Sequence, residues 1–233
     1  MKTILKNNAV FIGLCLAMLL TLGVVLLVYP KPDIHLWLNQ YHRPFLDTFF
    51  SRYTVVGEYC PYIIAVLLLF YKAGWAAFFA ADAALCTLVG QIIKHIVNAP
   101  RPLVYFAEHF PNIQLPLVEG VRMNHYFSFP SGHTISFFAT FFALCIIATD
   151  YLDTKKDKMS PANYQLSSIN CQLLFFLLAV LGAYSRIYLS QHFAMDIFGG
   201  ATLSFIITLL LCLLLPLVNS KKWFNWHFLQ KKT

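Results

Sequence analysis

Six stretches of the chain run apolar almost without interruption, at residues 8–29, 53–71, 75–97, 133–152, 171–190 and 195–217, with polar and charged residues gathered between them. At about 1.5 Å per residue each can cross the roughly 30 Å of hydrocarbon in a bilayer. Backbone inside hydrocarbon can be satisfied only internally, so all six are predicted as helices. The fold class is therefore all-α, a polytopic membrane bundle of six transmembrane helices, and residues 1–233 are expected to form one integral-membrane domain. The first stretch follows Lys2 and Lys6 as a signal peptide would. Its apolar run is too long, however, and no small-x-small cleavage site precedes Pro30, so it is expected to be a retained first helix.

Composition agrees with the pattern: 59% of residues are hydrophobic, only 12% are charged, and mean hydropathy is positive. The six cysteines, Cys15, Cys60, Cys86, Cys145, Cys171 and Cys212, fall in apolar stretches at irregular spacing, which suggests neither a disulfide framework nor a zinc site. There is no internal repeat. Charge then sets orientation, because cytoplasmic ends collect Lys and Arg. With the N-terminus inside, Lys2, Lys6, Lys72, Lys155, Lys156, Lys158, Lys221, Lys222, Lys231 and Lys232 fall inside. Lys31, Arg43, Arg52, Lys94, Arg101, Arg122 and Arg186 fall outside. The C-terminal KKWFNWHFLQKKT interleaves Trp223 and Trp226 with lysines, as in an interfacial anchor drawn to anionic lipid. The net charge of +7 thus reflects membrane topology, and nucleic acid is not an expected partner.

The polar residues at helix ends sort by side. KHIVNAPRP places Lys94 on the last turn of the third apolar segment and Arg101 just after it, with Pro100 and Pro102 stopping the helix. FSFPSGHTISFF places Pro130, Ser131, Gly132 and His133 at the start of the fourth. SRIYLSQHFAMD ends the fifth with Ser185 and Arg186 and opens the sixth with His192 and Asp196. All three clusters are expected at one face of the membrane. Lys94, Arg101 and Arg186 supply cationic donors, the helix start after Ser131-Gly132 offers free backbone N–H groups, and Gly132 permits close approach: together they form a phosphate cradle. His192 and Asp196 stand four apart, so the carboxylate can hold one ring nitrogen while the other attacks. His133 is then available to protonate the leaving oxygen.

K-x6-RP, PSGH and SR-x5-H-x3-D, carried by Lys94, Arg101 and Pro102, by Pro130 to His133, and by Ser185, Arg186, His192 and Asp196, resemble the three signature motifs of the type 2 phosphatidic acid phosphatase superfamily. One PSGH arises by chance in a chain of this size roughly once in a thousand, and three motifs in order are far more specific. The motifs span about 94 to 196, and no motif position departs from the pattern. The resemblance implies a phosphatase that needs no metal or other cofactor and works through a phosphohistidine on His192. It implies phosphate binding by Lys94, Arg101, Ser131, Gly132 and Arg186, His133 as general acid, and Asp196 orienting His192. Soluble haloperoxidases share the motifs, but the hydropathy argues against them.

The implied partner is a lipid phosphate whose tails stay in the bilayer, and the implied location is a bacterial inner membrane with both termini cytoplasmic and the site facing the periplasm. General resemblance points to lipid A, with undecaprenyl diphosphate and phosphatidylglycerophosphate as alternatives. A transporter or flippase is the alternative from another class, although paired halves and broken helices are not evident. Asp82, in AADAAL, lies at bilayer depth, where a structural hydrogen bond and a coupling role are both open. Glu58 is placed near the outer end of the second segment, as an interfacial carboxylate or one touching the site. The stretch 103–129 is long for a loop and carries His109, Arg122, Asn124 and His125, which suit either a head-group reader or a simple connector.

Overall fold

The computed structural model describes residues 2–226, so Lys231 and Lys232 of the C-terminal lysine cluster lie outside the described residues. The helices are α1 (Lys2–Asn7), α2 (Ala9–Val28), α3 (Lys31–Asn39), α4 (Pro44–Tyr71), α5 (Ala73–Val97), α6 (Pro102–His109), α7 (Gly132–Thr154), α8 (Pro161–Tyr188) and α9 (Ala194–Val218); no strand occurs among the described residues. Six helices are long and apolar enough to span a membrane. Two begin well before the expected boundary: α4 starts at 44 rather than 53, and α8 at 161 rather than 171. Both open on proline at the first helical position, and polar residues interrupt the added segments, Asp47, Thr48, Ser51 and Arg52 in α4 and Asn163, Gln165, Ser167 and Ser168 in α8. Hydropathy registers the hydrocarbon-embedded length of a helix and misses the part that projects beyond it. The short helices α1, α3 and α6 are further additions; α6 occupies the start of the stretch expected to be a 103–129 loop.

Helix α7 is the axis of the bundle, with Phe137, Phe138, Phe142, Ala143 and Cys145 almost fully buried. Its Phe137 ring is seated against two glycines, Gly57 of α4 and Gly182 of α8, and a Cβ at either would collide with the ring. In a membrane, where lipid tails are as apolar as side chains, helices associate by such close packing rather than by exclusion from water. On the opposite side Gly200 brings α9 against the first turn of α7, where a Cβ would crowd the Ser131 carbonyl. These contacts fix how closely α4, α8 and α9 approach α7.

Both described chain ends sit at the end of the bundle remote from the first turn of α7. Asn8 accepts a hydrogen bond from Thr149 Oγ1 near the C-terminus of α7, and Phe224 packs on Trp75 at the start of α5 with ring centroids 5.5 Å apart. Trp223 and Trp226 are half-exposed beside it. All six cysteines are free.

Asp82 lies deep in this bundle, 1% exposed, and its two carboxyl oxygens share the hydroxyl proton of Thr208 Oγ1 of α9, at 2.9 and 3.1 Å. Cys86 Sγ approaches the same carboxyl at 3.7 Å. Of the two expectations for Asp82, this geometry matches the structural one: a polar pin joining α5 to α9. Thr208→Val removes the donor and leaves a buried carboxyl group short of partners, a loss of about 1–3 kcal/mol. The thermal midpoint of the purified protein in detergent should fall for Thr208→Val and hold for Thr208→Ser, which keeps the hydroxyl. Equal midpoints for both would remove the pin from the account.

Candidate active site

The backbone at this end of the bundle is laid out by loop-to-loop hydrogen bonds. Helix α5 stops at Asn98, whose left-handed conformation (φ 43°) turns the chain into Ala99-Pro100. The returning loop pairs with it: Arg101 N–H donates to the His125 carbonyl at 2.8 Å, and Ser128 N–H donates to the Ala99 carbonyl at 3.0 Å. Ser131 then caps α7, its Oγ accepting from Thr134 N–H at 3.4 Å, while its own N–H donates to the Asp196 carbonyl at 3.0 Å. The end of α8 is closed from outside the motifs: Asn39 of α3 donates through Nδ2 to the Ile187 and Tyr188 carbonyls at 2.8 and 2.7 Å.

This framework gathers Lys94, Arg101, Gly132, His133, Arg186 and His192 around one cavity of about 840 Å³. Gly132 lies beside Lys94, since a Cβ on it would be 3.6 Å from Nζ. Arg101 and Arg186 are buried, at 7% and 6% exposure. Arg101 is held by the Tyr126 carbonyl and by Gln191, whose backbone and side-chain oxygens accept from Nη1 at 3.2 and 3.0 Å. Arg186 donates from Nη1 to Thr54 Oγ1 at 2.6 Å, and its buried Nε has no hydrogen-bond partner among the described residues. No carboxylate lies within ion-pair distance of Lys94, Arg101 or Arg186 among the described residues. Two buried guanidiniums and a half-buried ammonium without counter-charge create a strong demand for an anion. Ser131 does not line this cavity: its hydroxyl is used inside the protein as a cap, accepting also from Thr134 Oγ1 at 3.0 Å.

Asp196 sits behind His192. Its Oδ2 faces His192 Nδ1 at 3.3 Å, and accepts from Phe193 N–H at 2.9 Å and from Ser128 Oγ. Holding Nδ1 leaves Nε2 as the ring atom with a free lone pair. Burial pushes the His192 ring down to about 3, against the pull of Asp196, so the ring is neutral at neutral pH. His133 meets a different partner: its Nε2 is 3.0 Å from Glu58 Oε1 of α4. Of the four polar residues singled out in the 103–129 stretch, Asn124 lines the cavity. Arg122 and Asn124 also line an adjoining polar chamber of about 500 Å³, whereas His109 and His125 line neither. Ser128, Gln191, Thr54 and Asn39 were not marked in the sequence. Gln191 and Ser128 stand within or beside the motifs and Thr54 and Asn39 far from them, but each acts through a contact with a residue distant in the chain.

The cavity does not end at the polar cluster. It continues along α5 to Phe79, fifteen residues before Lys94, or about 22 Å at 1.5 Å per residue. The small side chains Ala80, Ala83 and Ala84 form its wall, and Tyr62 and Leu88, which also line it, are exposed on the flank of the bundle.

The family model described as PAP2 superfamily matches residues 74–220. The chain belongs to the PAP2 superfamily. As a PAP2 protein it is a lipid phosphatase. The PAP2 match runs from the start of α5 through α9 and contains all three motifs. In structure the protein is similar to Aquifex aeolicus LpxE, with a TM-score of 0.60 and 22% identity over 79% of this chain and 96% of that one. It is also similar to a transmembrane PAP2 type phosphatidylglycerolphosphate phosphatase from Bacillus subtilis, with a TM-score of 0.64 and 18% identity over 91% of this chain and 98% of that one. At these identities the likeness is one of fold. No curated protein matches the chain in sequence.

A second buried imidazole lies close by. His35 of α3 is fully buried against Phe193 and Phe106, neither ring nitrogen has a partner among the described residues, and burial lowers it to about 4. An unfolded chain takes up a proton on each histidine near 6.5, whereas folded His35 and His192 do not until about 4 and 3. The unfolded state therefore binds more protons below 6.5, and stability falls as pH drops from 6.5 toward 4. The thermal midpoint in detergent should be lower at pH 5 than at pH 7. In His35→Phe, which keeps the aromatic contacts, the drop should be smaller, and an identical drop would show that His35 does not contribute.

Proposed function

We propose that the protein hydrolyses a phosphate from a membrane lipid in the outer leaflet of a bacterial inner membrane, through a phosphohistidine on His192, with lipid A as its substrate. The observation that carries this reading is the set of cations without a carboxylate in ion-pair distance among the described residues, Lys94, Arg101 and Arg186, grouped with two histidines at the head of a cavity that runs down α5. The substrate phosphate satisfies the cations and the free N–H groups at the start of α7, with Gly132 allowing close approach. His192 Nε2 attacks phosphorus as the bond to the lipid oxygen breaks, and protonated His133 gives its proton to that oxygen. Water then attacks the phosphohistidine, neutral His133 takes the proton, and the phosphorus–nitrogen bond breaks to release inorganic phosphate. Asp196 keeps the His192 ring in one orientation and stabilises the charge it gains. The apolar length beside α5 accommodates a hydrocarbon tail, and the polar chamber lined by Arg122 and Asn124 gives room for a large head group such as a phosphorylated sugar. Phosphatidylglycerophosphate is the second reading, favoured by the likeness to the Bacillus subtilis enzyme.

The lysine distribution supports a periplasmic site with cytoplasmic termini, since Lys155, Lys156 and Lys158 follow α7 at the end remote from the site. Cysteine accessibility in intact cells should place Lys155 to Lys158 inside and Arg122 outside. The reverse map would put the site on the wrong face for outer-leaflet lipids.

Three cations and a helix start can neutralise the charge of phosphoryl transfer, so activity should survive chelators and be inhibited by vanadate; loss in chelator with recovery in magnesium would contradict this. His192→Ala should abolish turnover of every substrate. His133→Ala should lower hydrolysis of a lipid phosphomonoester by roughly a hundred- to ten-thousand-fold while sparing much of nitrophenyl phosphate hydrolysis, whose leaving group departs without a proton. Phosphate release from a panel of lipid A, undecaprenyl diphosphate and phosphatidylglycerophosphate identifies the substrate, and a protein that moves lipid without releasing phosphate would be a flippase instead.

A further inference from the structure

As general acid His133 must carry a proton, and it shares its cavity with Lys94 from α5, Arg101 from the α5–α6 link, Arg186 from α8 and His192 from the α8–α9 turn, all positive or potentially positive. Arg122 adds another across the polar chamber. Asp196 of α9 is turned to His192 and Ser128. Glu119 lines only the polar chamber, and Glu58 is the one carboxylate among the residues lining the larger cavity. It stands where the two chambers meet and contacts His133 directly, Oε1 to Nε2 at 3.0 Å.

A carboxylate in a cavity built for a phosphate dianion repels the ligand the cavity is made to hold, so its position calls for a compensating use. The geometry points to Glu58 as the positioning residue for the general acid: it holds Nε2 of His133, supplies the counter-charge that lets the ring be protonated among the cations, and leaves Nδ1 to deliver the proton to the leaving oxygen. This rests on the assignment of His133 as proton donor. The proton lost from Nδ1 goes to the lipid oxygen as the phosphorus–oxygen bond breaks, and the water that opens the phosphohistidine restores it. The two histidines then form complementary carboxylate pairs. His192 is held at Nδ1 by Asp196 and acts through Nε2, and His133 is held at Nε2 by Glu58 and acts through Nδ1. The negative charge of Glu58 also weakens the hold of the site on inorganic phosphate, which aids its release.

The test uses the full chain purified in detergent, assayed on phosphatidic acid and lipid A in mixed micelles and on nitrophenyl phosphate. Glu58→Gln, close in shape, should lower kcat on the lipids roughly ten- to a hundred-fold, part of the general-acid contribution, and lower nitrophenyl phosphate turnover less than about threefold. The alkaline limb of the kcat profile on lipid should move to lower pH, because His133 loses its proton more readily without the carboxylate. Inhibition by inorganic phosphate should become stronger. Glu58→Asp should restore part of the lipid activity, and Glu58→Gln added to His133→Ala should cost nothing more. Equal losses on lipid and nitrophenyl phosphate, an unmoved alkaline limb, or additive losses in the double variant would overturn the role. If His133→Ala itself loses equally on all substrates, the general-acid reading fails first. If that variant shows the leaving-group split and Glu58→Gln does not, only the role of Glu58 falls.

Discussion

The site end of this bundle depends on one buried carboxylate. Asp196 Oδ2 lies against His192 Nδ1, Phe193 N–H and Ser128 Oγ, and the Asp196 main-chain oxygen receives Ser131 N–H. One residue in the first turn of α9 thereby ties together the α8–α9 turn, the loop returning to α7 and the start of α7. A charge at 3% exposure is tolerable only where several donors converge on it, so each donor is as constrained as the carboxylate. The orientation of His192, the approach of α7 to α9 and the placement of the PSGH segment follow from a single requirement of satisfaction.

Around that anchored anion the protein places cations that it does not neutralise. Arg101 is braced by carbonyl and amide oxygens and Arg186 by a threonine hydroxyl, neutral acceptors that fix the guanidiniums without cancelling their charge. This separation of positioning from neutralisation lets a binding site remain strongly attractive to an anion while its geometry is preset. The rest of the bundle serves the same end. Glycines at 57 and 182 let α4 and α8 close on Phe137, and the Asp82–Thr208 pin holds α5 against α9, so the helix ends that carry the cations arrive in register. On its open flank α5 is lined with alanines, which leaves a channel leading from the charged head of the cavity into the apolar flank of the bundle.

The three motifs were legible because phosphate chemistry needs particular residue types at particular helix ends, and both composition and spacing survive in a linear sequence. Lys94, Arg101, Gly132, His133, Arg186 and His192 do line one cavity. Ser131 is absent from that lining: its Oγ accepts as the cap of α7 and its N–H donates to the Asp196 carbonyl. Glu58 and Asp82 were visible as charges in apolar stretches. Their partners, seventy-five and one hundred and twenty-six residues away, were not.

The sequence by itself determined that the chain is a six-helix membrane bundle, which helix ends carry its chemistry and what kind of anion that chemistry addresses. Hydrophobic length, prolines at helix boundaries and residue type are local properties, written directly in the order of amino acids. Tertiary structure alone decided that Asn39 closes α8, that Gln191 and Thr54 brace the arginines, that Glu58 meets His133, and that the cavity continues down α5. Those contacts join residues far apart in the chain through helix packing, and packing is set by the combined shapes of several surfaces at once, which no single stretch of sequence contains.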